Sequence, residues 1–307
     1  MRKIEFFYPS FTKKAITFTI DDGNMTYDKK MLDILKPAGI KGTFNLCSDF
    51  HVGKEDEVRK FYKGYEISNH CKYHPLVNFD GVRLVISSEL FDPERADRNM
   101  IYKVDGKEGF FWIMRPNGWR EMVFEKDFIR YADDGLTELN TIFGAGTVKD
   151  FVWPYGEQDN AAVKAHVRKT HRAVRKTGCT RNLDGFAIPK DKKAWSYNAD
   201  HTNILEIMDE YEKYPDDGDL KFFAFGVHSI DFERGNRWGD LVAFADRYGN
   251  RPDTYWYASV GEIFDYEEAT KLLYVSDKLI KNQSAITLYV SVDGYRYVIE
   301  AGKSVRV

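Results

Sequence analysis

Cysteine is scarce: Cys47, Cys71 and Cys179 are the whole complement of a 307-residue chain, an odd and sparse set that argues against a disulfide framework and leaves the compartment open. Long apolar runs are missing too, and a helix needs roughly 20 predominantly apolar residues to cross a bilayer, so no membrane partner is expected. Charge of one sign is absent. The 45 basic and 48 acidic side chains are spread along the chain, with a formal net charge of −3. That balance offers no electrostatic footprint for nucleic acid. Near the N-terminus Glu5, Pro9 and Lys13 interrupt any apolar stretch before it reaches the length of a signal core. The sequence as written therefore points to the cytoplasm, and to an extracytoplasmic location if a leader has been removed. What is present is apolar and aromatic material: 43% hydrophobic residues, with 22 Phe, 19 Tyr and 6 Trp, enough for a sizeable core. The length suits one α/β barrel of about 200 to 250 residues with additions.

From residue 15 short apolar runs alternate with helical patterns, which predicts parallel strands joined by crossover helices. Strands are expected at 15–20, 42–46 and 65–68, with helices at 27–36 and 54–63 between them. Residues 78–123 break the rhythm and read as an insertion. Phe91, Tyr102, Phe110, Phe111, Trp112 and Trp119 lie in it, suited either to stacking on a saccharide or to a small satellite core. Regular order returns with a helix at 126–143, the strand DFVWPYG, a helix at 160–177 ended by Gly178, and strands near 183–188 and 222–227. His166 and His171 fall on that basic helix, where Lys and Arg neighbours favour a solvated face. Helices at 202–214, 236–248 and 260–270 follow. Beyond 271 the period changes to two, and VDGY reads as a hairpin turn.

The adjacent acids of AITFTIDDG, Asp21 and Asp22, and the histidines of EISNHCKYHP, His70 and His74, carry the chemistry. Two imidazoles and one carboxylate make a catalytic metal shell with an open position for water, and the second carboxylate is then free to accept a proton. Each motif has a bland counterpart. Asp-Asp-Gly is ordinary turn chemistry, and seven histidines produce a spacing of four by chance often enough to prove little alone. If the segment coils locally, His70 and His74 stand one helical turn apart and aim at one ion.

In order, TFTIDDG, HCKYH, FVWPYG and FAFGVHSID resemble motifs of the polysaccharide deacetylases of carbohydrate esterase family 4, the NodB-homology domain, and WYASVGEIFDYEEA is similar to their closing segment. The resemblance runs from residue 15 to about 265. It implies an α/β fold, a distorted (β/α) barrel of the NodB-homology type, which with the periodicity gives a barrel over residues 1–270 carrying the 78–123 insertion, and a small C-terminal β-strand appendage at 271–307. It also implies removal of acetyl groups from N-acetylated amino sugars, with acetylated carbohydrate as partner and one divalent ion as cofactor. Zinc is the default, and Co2+, Ni2+ or Fe2+ suits the same donors. By position, Asp21 resembles the catalytic base, His228 the catalytic acid, and Asp22, His70 and His74 the metal ligands. Tyr155 resembles the residue whose N–H holds the oxyanion, with Trp153 and Pro154 in the groove wall. The family's arginine that orients the base is replaced by Val152, for which Arg181 is a candidate substitute, and Cys71 stands where a Ser or Thr is usual. Trp195 and Asp200 are candidates for a groove wall and for a partner to His228. Competing readings are another C–N amidohydrolase of the same superfamily with a small substrate, and a non-catalytic glycan-binding relative. The sequence leaves the oligomeric state open.

Overall fold

The computed structural model describes residues 2–77, 85–86, 101–103, 110–115, 118–181 and 185–307. Eight strands, numbered here within the barrel, make one sheet: β1 (Lys14–Asp22), β2 (Gly42–Leu46), β3 (Glu66–Asn69), β4 (Phe151–Val152), β5 (Val174–Cys179), β6 (Trp195–Tyr197), β7 (Lys221–His228) and β8 (Tyr255–Tyr257). Every pairing among them is parallel, in the order β6-β5-β4-β3-β2-β1-β7. Just past β6, Ala199 bridges Phe225 of β7, with Gly226 N–H donating to the Ala199 carbonyl at 2.9 Å, which draws the two ends of the order together. The ring is distorted because β8 pairs with the start of β1, at Lys14–Ile16, while β2 pairs with its end, at Phe18–Asp22.

The alternation in β1 decides its two faces. Ile16, Phe18 and Ile20 pack outward with Met31 and Leu35 of the helix Met25–Leu35 and with Leu241 and Phe244 of the helix Trp238–Tyr248. Thr19 and Asp21, on the opposite face, meet the amide of Asn45. In-register parallel pairing then sets Asp21 beside His228 on one side and Asn45 on the other, at the C-terminal rim of the strands.

The stretch read as one helix over 160–177 is two elements. The helix runs over Ala161–Thr170 and ends at His171, after which Val174–Cys179 forms β5. Pairing of Phe151 with Val174 and of Val152 with Arg175 overrides the helical pattern of the basic residues. His171 is buried rather than solvated, 3.1 Å from the Asn69 amide, whereas His166 pairs with Asp133 at 2.8 Å. Near the expected strand at 183–188, residues 182–184 lie outside the described residues and Ala187 makes a single antiparallel bridge to Lys221, so the sixth barrel strand is Trp195–Tyr197.

Four strands of the insertion, Gly118–Val123, Phe110–Arg115, Ile101–Lys103 and Val85–Ile86, form a second sheet in that order, with Leu76–Val77, just before the insertion, pairing onto the first of them. Tyr102, Phe110 and Phe111 are buried, and Tyr73 and Tyr131 pack on Phe110. Phe110 shares a core with Phe128, Phe151, Trp153 and Val174 of the barrel, so the insertion is packed onto the barrel and is no separate satellite core. Phe91 lies outside the described residues. At the C-terminal end Leu288–Val292 and Tyr295–Ile299 form the hairpin, with Asp293 and Gly294 both at positive φ, and the chain's own Ile4–Phe7 adds the third strand. Leu288, Val290 and Ile299 share a core with Ala15, Phe222 and Ile263. Among the described residues no helix is long and apolar enough to cross a membrane.

Asp28, fully buried in the first helix, accepts hydrogen bonds from Tyr62 and Ser229, each at 2.6 Å, and so ties three elements together. Burial pushes its carboxyl from 3.8 up to about 7, against the pull of the two hydroxyls. The folded form thus holds this proton more tightly than the unfolded chain. The stability it contributes is complete below the unfolded pKa and is lost as pH rises through about 7. Asp28→Asn, which cannot ionise, should lose less stability than the wild type between about pH 5 and pH 8.5, read from urea midpoints; parallel pH profiles would refute it.

Candidate active site

A cleft of about 670 Å³ opens at the C-terminal rim, lined by Asp21, Asp22, His70, His74, Trp153, Tyr155 and His228 among others. The two acids diverge because Asp22 adopts φ +74°, a left-handed conformation costly for a residue with a Cβ. Asp21 stays in the strand and points inward, while Asp22 turns towards the histidines. Its Oδ1 lies 3.4 Å from His70 Nε2 and 3.6 Å from His74 Nε2, and its Oδ2 lies 3.9 Å from His228 Nε2.

His70 is 1% exposed, and its Nδ1 stands 2.8 Å from the Val152 carbonyl. A carbonyl only accepts, so Nδ1 carries the hydrogen and Nε2 presents a lone pair to Asp22. Both His70 Nε2 and Asp22 Oδ1 are buried without a hydrogen-bond partner. Two acceptors facing each other call for a cation between them, and this donor set fits a divalent metal. His74 completes the set as a neutral base, because burial and then the neighbouring His70 lower it to about 4.

The histidines converge through an irregular loop, not a helical turn. Cys71 takes φ +72°, its N–H donates to Asn69 Oδ1 at 2.9 Å, and Lys72 N–H donates to the Tyr131 carbonyl. The helix Glu125–Phe143 can press against this loop only because Gly135 has no side chain: a Cβ there would sit 2.6 Å from Asn69 Oδ1. Burial pushes the Cys71 thiol up to about 12, and its sulfur is not among the atoms that converge on Asp22 and His70.

Asp21 is held by an arginine that sequence reasoning missed. Arg175, 1% exposed on β5, donates through Nη2 to Asp21 Oδ1, and Asn45 Nδ2 donates to the same oxygen at 2.7 Å. The Arg175 guanidinium also lies over the Tyr197 ring, 5.3 Å from its centre. Arg175 occupies the register position beside Val152, one strand further round the ring. No signal along the chain marked it: its basic neighbours extend the helical period, and the pairing of Val174 with Phe151 makes the segment a strand. Burial would raise the Asp21 carboxyl, but Arg175, then His70 and His228, hold it below its ordinary value. Arg181 is no substitute: it is exposed, at φ +49°, and pairs with Glu206 at 3.6 Å.

Asp200 is not the partner of His228. Its Oδ1 accepts from Thr202 N–H and hydroxyl, closing a local turn, while His228 Nδ1 lies 2.8 Å from Asp231 Oδ2. Asp231 sits three residues on, in the first turn of the helix Ser229–Arg234, within the quoted FGVHSID. Burial would lower the His228 ring, but Asp231, Asp21 and Asp22 push it up to about 9, so it is an imidazolium at neutral pH. Trp195 also stands apart from the cleft, packed edge-on against Phe222 and Phe264 in the core. Trp153 is buried, stacks on Phe128 and lines the cleft, whereas Pro154, whose carbonyl accepts from Gln158 at 3.1 Å, is not among the lining residues. Tyr155, at φ +56° and 45% exposed, sets its ring edge-on to His74 at the mouth.

The sequence profile of a family described as polysaccharide deacetylase matches residues 9–174, more than half of the chain. The chain belongs to the polysaccharide deacetylase family. That membership makes it a hydrolase of acetylated sugars; the matched span carries Asp21, Asp22, His70, His74, Trp153, Pro154 and Tyr155, whereas Arg175, Arg181, Trp195, Asp200, His228 and Asp231 lie after it. No curated protein matches it. Among solved structures it is similar to the peptidoglycan deacetylase PdaC from Bacillus subtilis, 16% identical over 85% of this chain and 96% of that one, with a TM-score of 0.44. A family 4 carbohydrate esterase from Streptomyces lividans is 14% identical over 76% and 88%, TM-score 0.42. The Xyl-CE4 domain of a multidomain xylanase from the hindgut metagenome of Trinervitermes trinervoides is 14% identical over 84% and 93%, TM-score 0.45. These distant likenesses decide nothing about the deacetylase cleft.

Replacing Arg175 leaves Asp21 as an unpaired buried charge, so Arg175→Met should cost about 3 to 5 kcal/mol in chemical denaturation. Arg181→Met, on the surface, should stay within about 0.5 kcal/mol. The reverse order would refute the pairing.

Proposed function

We propose that the cleft removes acetyl groups from N-acetylated amino sugars in oligo- or polysaccharides, with one divalent cation held by Asp22, His70 and His74. The observation that carries this reading is the pair of partnerless buried acceptors, His70 Nε2 and Asp22 Oδ1, turned towards each other. When bound, the cation, by default zinc, acts as a Lewis acid towards the acetyl oxygen and acidifies a water.

The chain's own residues do the rest. Asn45 and Arg175 both occupy Asp21 Oδ1, so Oδ2 is the oxygen that takes a proton from the attacking water. Hydroxide oxygen adds to the acetyl carbon and the carbonyl electrons move to oxygen, and the resemblance implies that the Tyr155 N–H donates a hydrogen bond to the resulting oxyanion. Asp231 fixes His228 through Nδ1, which aims Nε2–H into the cleft. Breaking the C–N bond with a proton from Nε2 releases a neutral amine, since an amide nitrogen leaves poorly without one. The products are acetate and a free amino sugar.

Acetate release from acetylated chito-oligosaccharides, with and without a chelator, tests the reading. Activity should vanish on chelation and return with metal; activity indifferent to the chelator would favour a metal-independent amidohydrolase. Asp21→Asn should lower turnover by about 100-fold or more with metal content unchanged, and wild-type-like turnover would remove Asp21 from the base role.

A further inference from the structure

Cys47 directly follows β2, between the strands that deliver Asp22 and His70, and has no role in the mechanism above. Register pairs Leu46 with Asp22 on one side and with Asn69 on the other, so the next residue of the β2 path runs alongside His70. Cys47 is completely buried, and its Sγ–H donates to the His70 carbonyl at 3.2 Å. Its sulfur, a carboxylate oxygen of Asp22 and a ring nitrogen of His70 all lie within 4.8 Å of one another. The second observation is independent of the thiol: His70, 1% exposed, leaves Nε2 without a partner, as Asp22 leaves Oδ1.

We infer that the Cys47 thiolate is a ligand of the divalent ion gripped by Asp22 and His70, which makes the centre a mixed nitrogen, oxygen and sulfur site. The inference rests on the metal-dependent reading of the cleft. Metal distances of about 2.0 to 2.3 Å put neighbouring donors roughly 3 to 4 Å apart, so atoms already within 4.8 Å reach a common ion by small side-chain rotations. With Asp22, His70, His74 and Cys47 as protein donors, water takes a fifth position. Asp22, His70 and His74 line the cleft and Cys47 does not. Sulfur therefore approaches from the floor and leaves the mouth to water and substrate. As the metal–sulfur bond forms the S–H bond breaks, and its proton passes to solvent. A thiolate tilts the site towards zinc or cobalt and away from magnesium or manganese, which prefer oxygen.

Titrating the metal-stripped full chain with Co2+ tests this. The wild type should develop thiolate-to-cobalt charge-transfer absorption, and Cys47→Ser should abolish that band and weaken cobalt binding about 10- to 100-fold. Cys179→Ser, whose thiol bonds the Asn198 carbonyl instead, should keep both. Should Cys47→Ser fail to fold, X-ray absorption on the zinc-loaded wild type reads the same point, as one sulfur scatterer at about 2.3 Å. Cobalt bound with only nitrogen and oxygen donors overturns the role of Cys47 and leaves the deacetylase reading intact. No cobalt binding at all overturns both.

Discussion

Two carboxylates on consecutive residues at the end of a buried strand repel each other, and the architecture around them answers that repulsion. The left-handed turn at Asp22 separates the two side chains, which both line the cleft, so that Asp21 faces Arg175 and Asn45 while Asp22 faces the histidines. Inside, Arg175 and Asn45 bind Asp21; outside, three imidazoles surround Asp22. The backbone strain at Asp22, of order 1 to 3 kcal/mol, persists because packing and charge on both sides over-determine it.

The remaining scaffold serves rigidity. Parallel register brings the ends of β1, β2, β3 and β7 to one rim, and the helix Glu125–Phe143 clamps the histidine loop from outside. Its Glu138 accepts from Ser48 at 2.6 Å and from Lys72 at 2.5 Å, while Asn69 bonds the Ala132 carbonyl and Cys71 N–H. Buried His171, lowered to about 4 chiefly by burial, acts there as a neutral neighbour of the Asn69 amide. Side chains held this way reorganise little when charge develops, which is the condition for electrostatic catalysis.

Alternating helix and strand periods, the Asp-Asp pair and the two histidines were legible because each is a local pattern with a chemical meaning, whereas His228 entered only through the resemblance of its motif. The barrel class and the hairpin at Asp293-Gly294 were legible for the same reason. Arg175 was not: its basic neighbours extend a helical period, and only pairing of Val174 with Phe151 shows that the segment is a strand. Asp231 lay in a quoted motif, yet its role depends on a helix starting at Ser229 that folds its carboxylate back onto His228. Cys47 carried no signal at all, since a lone cysteine acquires neighbours only through sheet register.

The sequence by itself determined which residue types are available for chemistry and the order of the elements that present them, because periodicity and motif spacing are properties of neighbours along the chain. Tertiary structure alone decided that the guanidinium reaches Asp21 from β5 and that Asp231, not Asp200, holds His228. It also decided that His70 and His74 meet through a left-handed kink. Those pairings join residues up to 154 positions apart, and their partners are selected by strand register and by the cost of leaving a charge buried and alone.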